Sequence, residues 1–399
     1  MTKPPKPAIF GIENGCAGPS GPAKRLGVYI HWPYCARICP YCDFNVFKDR
    51  GGEEPTALAD AIVADLTAQA ALTGPRELVS IFLGGGTPSL MDPAWAAEMV
   101  ATASRLWTPA ADLEVTLEAN PTDAEAARFD AFAEAGVNRL SLGLQSLDDA
   151  ALRFLGRNHD AATAVRAAEA ATRAFPRLSI DLIYARPGQT PANWAQELGR
   201  ALDLGAEHLS PYQLTIEAGT AFDRAVRRGQ FTPPGPETGA ELFDTTQAVL
   251  EAAGFEAYEV SNHARGPAAR SRHNLVYWQG RDYVGAGPGA HGRITIDDVR
   301  QATYAARRPA DYIARVAATG LGFATREILN PREAAQERLL SGLRITEGVP
   351  LAEVAALDLQ PAKIADLVAL GLLADDPEHL RATPGGRLVL DRLTSELAS

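Results

Sequence analysis

From Leu26 onward the chain repeats a two-beat pattern. A short aliphatic, β-branched run ends in a polar or glycine cluster, and an Ala-rich stretch with apolar residues three and four apart follows. The short runs Gly27–His31, Leu78–Leu83, Leu113–Glu118, Arg139–Leu144, Leu178–Ile183 and His208–Leu214 are predicted strands. The stretches Thr56–Leu72, Ala94–Leu106, Ala124–Ala135, Ala161–Phe175 and Ala192–Leu204 are predicted helices. Alternation of this kind builds a parallel sheet with helices outside it. Right-handed crossovers curl such units into a barrel or wind them into an open sheet, with functional groups at the carboxyl edge. The pattern predicts an α/β fold, a partial parallel (β/α)6 barrel over residues 26–262, closed by a helix at Glu237–Ala253 and a short strand at Glu256–Val260.

The flanks read differently. Residues 1–25 are rich in Pro and Gly without a period and predict a loose tail. Residues 263–325 are Gly-rich in their first half and predict an irregular connecting segment. Residues 326–399 predict helices at Arg332–Gly342, Leu351–Leu357, Pro361–Leu370 and Pro384–Leu397, with a hairpin around Asp375–Arg381. That is an α-rich, winged-helix-like C-terminal domain. It has no basic run, so packing or a lid role is expected of it rather than DNA binding.

With 399 residues, 46% hydrophobic and 22% charged, the chain can bury a large core without disulfides. Its 38 Lys+Arg against 49 Asp+Glu leave a net charge of −11, which argues against a nucleic-acid binder. The N-terminus lacks the apolar core of a signal peptide. No uninterrupted apolar run reaches the roughly 18 residues of a spanning helix. The expected location is the cytoplasm, with peripheral membrane contact left open.

Four cysteines occur, and three of them, Cys35, Cys39 and Cys42, form a C-x3-C-x2-C loop directly after the first strand. Three thiolates at this spacing suit three irons of a [4Fe–4S] cluster and leave one iron open for chemistry. A zinc site with His31 as fourth ligand fits the same spacing. Cys16 stands too far upstream and reads as a free thiol.

With Tyr41 before the last cysteine, the loop resembles that of the radical S-adenosylmethionine (SAM) superfamily. The resemblance implies that the open iron chelates SAM, whose one-electron cleavage gives a 5′-deoxyadenosyl radical, and that Tyr29 and Tyr41 border the adenosine. Further motifs are YIHWPYC, CPYCDFN, FLGGGTPS, LEANP, RLSLGLQS, LGRNH and SIDLIY. Together they resemble the coproporphyrinogen dehydrogenase group, HemN and its relative HemW. By motif matching, Tyr29, Gly85, Gly86, Thr87, Glu118, Gln145, Arg157 and Asp181 take SAM-contacting positions. The glycines are expected to leave backbone amides open to the ligand. Gln213 adds a further polar residue at a strand end.

Two features resemble HemW rather than HemN. Phe44 stands where the dehydrogenase has a further cysteine, and His273–Trp278 carries the H-N-x-x-Y-W motif. The short, Gly/Pro-rich tail also looks unlike the dehydrogenase's longer N-terminal region. The HemW resemblance implies a haem chaperone that passes haem to acceptor proteins such as membrane respiratory complexes. Imidazole suits haem iron, so His273 is a candidate axial ligand, with Tyr277 and Trp278 against the macrocycle. A packing motif joining barrel to tail is the equal alternative. The loop Gly285–Gly292 reads either as a close approach to a flat ligand, with His291 a second candidate, or as a turn-dense connector. Where the group has Y-G-L-P, this chain has Tyr184-Ala185-Arg186-Pro187, and Arg186 is expected on a propionate or in solvent. The alternative function is oxygen-independent coproporphyrinogen III dehydrogenase, yielding protoporphyrinogen IX. A homodimer stays open.

Overall fold

The computed structural model describes residues 24–398; the loose-tail expectation and Cys16 fall outside them. All six predicted strands form: β1 (Arg25–Trp32), β2 (Glu77–Gly85), β3 (Thr108–Ala119), β4 (Arg139–Gln145), β5 (Arg177–Tyr184) and β6 (His208–Gln213), paired in parallel in that order. The period-two pattern explains why they curl. Leu26, Val28 and Ile30, Val115 and Leu117, Leu140 and Leu142, and Ile180 and Leu182 are buried in one core shared with the helices. The alternate residues, among them Ser80, Glu114, Thr116, Ser141, Ser179 and Ser210, are polar and face the barrel interior.

β7 (Glu256–Glu259) and β8 (Asn262–Ala264) then extend the sheet antiparallel beyond β6. The expectation of an irregular connector over 263–325 is corrected. β9 (Asp282–Ala286) pairs in parallel with β1, and β10 (His291–Ile296), β11 (Val299–Ala305) and β12 (Phe323–Ile328) follow it antiparallel. Among the described residues this makes one twelve-stranded sheet, ordered β12-β11-β10-β9-β1-β2-β3-β4-β5-β6-β8-β7. Val284, Ala286, Ile294 and Tyr312 belong to the same core as the barrel strands, so no packing boundary falls at residue 263. The glycines that looked like loop signals serve close packing. A Cβ on Gly285 would stand 2.0 Å from the His291 carbonyl oxygen, and one on Gly287 would stand 2.2 Å from that of His31.

The C-terminal unit has its own core of Leu339, Leu343, Val354, Leu367, Leu380 and Leu393. Helix Pro331–Gly342 opens with a capping box, Asn330 against Glu333. Leu351–Leu357 is a 3-10 turn, and the last predicted helix breaks at Val389. A two-residue antiparallel pairing, Val349–Pro350 with His379–Leu380, and a bridge between Leu373 and Ala382 make the small wing. No helix of the described residues is long and apolar enough to cross a membrane.

Candidate functional site at the barrel mouth

The cysteine loop leaves β1 at its carboxyl end and is tied back onto the barrel. The main chain at Phe47 and Asp49 pairs with Pro33 and Cys35. The Asn45 side chain donates to the carbonyls of Pro288 (2.9 Å) and Arg307 (2.8 Å), which ties the loop's far end to the β9–β11 region. His31 Nε2 donates to the Asn45 carbonyl (2.9 Å), and its Nδ1 accepts from the Tyr29 hydroxyl (2.9 Å). Both ring nitrogens are thus engaged, and His31 has none left for a zinc ion. Among the described residues no group of three or more His, Cys, Asp or Glu converges closely enough for one metal ion. A cubane cluster spreads its thiolates over separate irons, so the donor set fits a cluster better than one zinc.

The three thiols are free and line a cavity of about 350 Å3 together with Tyr41, Gly85, Gly86, Thr87, Glu118, Gln145, Arg157 and Asp181. Burial pushes the Cys35 thiol up and holds Cys42 up at about 11, so iron must displace their protons. Arg157 supplies opposing charge. Its buried guanidinium lies 3.4 Å from Cys39 Sγ and 3.5 Å from the Tyr41 hydroxyl, and it donates to the Gly143 carbonyl (2.9 Å) and to Asn120. The Thr87 hydroxyl donates to Cys35 Sγ (3.5 Å) and accepts from Asn120 Nδ2 (3.1 Å).

The two carboxylates lie on the inner face of the barrel. Glu118 accepts from the Gly85 amide (3.0 Å); burial, then the neighbouring Asp181, lifts its pKa to about 7. Asp181 Oδ2 accepts from Ser141 (3.0 Å), while among the described residues Oδ1 is buried without a hydrogen bond, with the Ser210 hydroxyl nearby, an acceptor left for a ligand's hydroxyl or ammonium. Gln145 sits at the rim with φ of 65°, a strained conformation at the end of a strand.

Several expectations change. The amides of Gly85, Gly86 and Thr87 do not stand open: they donate to Glu118, the Trp32 carbonyl and the Tyr34 carbonyl. The glycine run is there because a Cβ on Gly86 would stand 2.7 Å from the Tyr34 carbonyl oxygen. Tyr29 lies inside the barrel and faces a second, larger cavity rather than the cysteine cavity. Arg186 reaches neither solvent nor a ligand; it is buried against Glu197 and Ser146. The sequence reading gave no role to Asn45, Asn120, Ser141 or Tyr212, although Asn45 and Asn120 stand inside the quoted CDFN and LEANP motifs.

The structure sets the His273 haem-ligand expectation against a ring whose two nitrogens are both engaged. Helix Arg272–Trp278 plugs the barrel end opposite the cysteines. His273 is 1% exposed, hydrogen bonded through Nδ1 to Ser80 (2.9 Å) and through Nε2 to Tyr277 (2.6 Å), and stacked on Phe82. Burial drives its pKa down to about 3. Glu114, paired with Arg177 at 2.7 Å, accepts the His273 (3.0 Å) and Arg272 (3.2 Å) amides at the helix start. Trp278 lies under the Arg344 guanidinium of the C-terminal unit. The motif packs barrel against tail, and its Tyr277 and Trp278 also line the larger cavity.

The larger cavity, about 1470 Å3, opens between the barrel mouth, β10–β11 and helix Pro331–Gly342. Asp43, Phe44, Gly85 and Glu118 border both cavities.

Residues 29–200 match the radical SAM superfamily, and residues 329–389 match the HemN C-terminal domain. The mouse protein named Radical S-adenosyl methionine domain-containing protein 1, mitochondrial, from Mus musculus, is 41% identical over 94% of this chain and 88% of its own length. Proteins named Heme chaperone HemW from Mycobacterium tuberculosis and Escherichia coli are 36% and 35% identical, over 94% and 92% of this chain and 95% and 97% of theirs. The solved structure of coproporphyrinogen III oxidase (HemN) from Escherichia coli, a radical SAM enzyme, superposes with a TM-score of 0.79 at 21% identity over 95% of this chain and 91% of that one. At that identity the likeness is one of fold.

Proposed function

The chain belongs to the HemW family of radical SAM proteins, and from that premise we propose that it binds haem and passes it to acceptor proteins. Membership of the radical SAM superfamily implies a [4Fe–4S] cluster and SAM. We assign the cluster to Cys35, Cys39 and Cys42, and SAM to the cavity lined by Thr87, Glu118, Gln145, Arg157 and Asp181. Tyr41 borders that cavity. Gly85 and Gly86 shape its wall, and Tyr29 holds His31 behind it. When bound, the cluster and SAM supply one-electron chemistry. The chain's own residues bind and orient. Arg157 balances thiolate charge, Glu118 and Asp181 offer carboxylates to a cationic ligand, and Asn45 fixes the cysteine loop.

The observation that carries the chaperone reading is likeness along nearly the whole chain to proteins named haem chaperones. Phe44 supports it: at the border between the cavities a phenyl ring can neither donate a proton nor ligate metal. Delivery to respiratory membrane complexes places the protein in the cytoplasm, working at the inner membrane surface. The test is anaerobic incubation of cluster-reconstituted protein with coproporphyrinogen III, SAM and reductant, with a haem titration in parallel. Saturable haem binding without protoporphyrinogen IX is expected. Protoporphyrinogen IX at many turnovers would overturn the reading in favour of the dehydrogenase.

A further inference from the structure

The seven histidines are not equivalent as iron ligands. His31, His208 and His273 have both ring nitrogens hydrogen bonded within the protein. His159 and His263 are enclosed, with one nitrogen on a carbonyl or amide oxygen and the other buried. His379 leans on Asp376. His291 differs from all of these. It is exposed at the start of β10, lines the larger cavity, and touches Tyr304 ring edge to face at 4.7 Å, with neither nitrogen in a hydrogen bond among the described residues. Partial burial, then the charges of Arg293 and Arg307, lowers its pKa.

The cavity around it has the chemistry of a macrocycle site. Its volume of about 1470 Å3 exceeds the roughly 300–1,000 Å3 common for small-ligand pockets. Phe44, 62% exposed, and Tyr283 and Tyr304 offer apolar faces. Four arginines line it, and three are already matched: Arg293 forks onto Glu337, Arg300 reaches Asp282 at 3.3 Å, and Arg338 pairs with Glu353. Among the described residues the Arg307 guanidinium makes only a 3.5 Å contact, to Asn45, and keeps the rest of its donors for a carboxylate.

We propose that this cavity is the haem site, with the His291 imidazole as an axial ligand of the iron and the Arg307 guanidinium on a propionate. The inference rests on the haem-binding reading above. It moves the ligand from the buried H-N-x-x-Y-W motif to a histidine at the barrel mouth, beside the cysteine loop.

The experiment is an anaerobic titration of full-length, cluster-reconstituted protein with ferric haem, followed by Soret difference spectra and haem EPR. Wild type, His291→Ala, His291→Gln, His379→Ala and Arg307→Ala are compared, with iron content and circular dichroism as folding controls. His291→Ala and His291→Gln lose the wild-type Soret position and most of the affinity, and added imidazole restores the spectrum of His291→Ala. His379→Ala matches wild type. Arg307→Ala binds haem about tenfold more weakly but binds haem dimethyl ester as wild type does. Wild-type spectrum and affinity in both well-folded His291 variants would overturn the site and leave haem binding standing. Failure of the wild type itself to bind haem saturably would overturn the functional reading as well.

Discussion

Glu118→Gln tests the barrel mouth most directly. The substitution keeps the side chain's shape and an oxygen for the Gly85 amide, and removes the charge that faces Asp181. Burial first, and Asp181 second, lift the Glu118 pKa from 4.5 to about 7. An acid whose pKa is higher folded than unfolded gives its full stabilisation below the unfolded value and loses it as pH rises through the folded value. For Glu118 that window runs from pH 4.5 to about 7. The whole climb corresponds to roughly 3 kcal/mol. The side chain opens partly onto the cavities, and solvent screening brings the figure to about 2 kcal/mol. Thermal unfolding of the SAM-free protein, followed by circular dichroism between pH 4.5 and 8, should therefore show the variant gaining on wild type by about that amount, or a few degrees in Tm. The same change should weaken SAM binding by about tenfold to a hundredfold at pH 8, and by less at pH 6, where the wild-type carboxyl is itself neutral. Parallel stability curves for the two proteins, with equal SAM affinity at pH 8, would refute the reasoning.

Cys35→Ala, Cys39→Ala and Cys42→Ala should each abolish the [4Fe–4S] EPR signal of anaerobically reconstituted protein, and Cys16→Ala should keep it; stoichiometric zinc without iron in wild type would count against the cluster. Ala185 holds φ of 60° directly after β5, so Ala185→Gly should stabilise the fold by about 0.5–1 kcal/mol in denaturant unfolding; a loss of stability would mean that the backbone there relaxes at no cost. His273→Ala removes a stacked ring and two buried hydrogen bonds, and should destabilise by about 3 kcal/mol while leaving the haem Soret band in place; a shifted Soret band would restore His273 as a ligand.

Period-two alternation made the barrel legible, because every barrel strand has one face against helices and one against the interior. It failed over residues 263–325 for a physical reason. Gly285, Gly287 and Gly292 sit where neighbouring backbones or side chains leave no room for a Cβ, so these strands carry the composition of a loop. The cysteine spacing anticipated three thiols lining one cavity at the barrel mouth, since covalent geometry along one short loop is local information. His273 and Arg186 misled because their roles depend on long-range partners. A Ser80 hydroxyl and a Tyr277 hydroxyl consume the imidazole, and Glu197 neutralises the guanidinium. Ser80 stands 193 residues from His273 and Glu197 stands 11 from Arg186, and of these partners Tyr277 alone, four residues on, is local. The departure at Ala185 was visible, but its meaning depended on a dihedral angle that only the fold supplies.

The two ends of the barrel have opposite characters, and this bears on which chemistry the chain performs. At the far end, helix Arg272–Trp278 fills the interior, and the Glu114 carboxylate satisfies its first amides, while its last turn, Tyr277 and Trp278, lines the larger cavity. At the cysteine end, an Asp181 oxygen without a hydrogen bond among the described residues and a carboxyl poised near neutrality at Glu118 face open volume. The two cavities there meet at Asp43, Phe44, Gly85 and Glu118, so a molecule in the larger one abuts the cysteine loop through Phe44. Asp43 and Glu118 are the titratable side chains at that border. Phe44 gives the border an exposed phenyl face, suited to packing against a flat apolar ring. The border thus sets a phenyl face beside two carboxyls, of which Glu118 reaches inside the barrel to accept from the Gly85 amide, and the proposed macrocycle would meet the loop there.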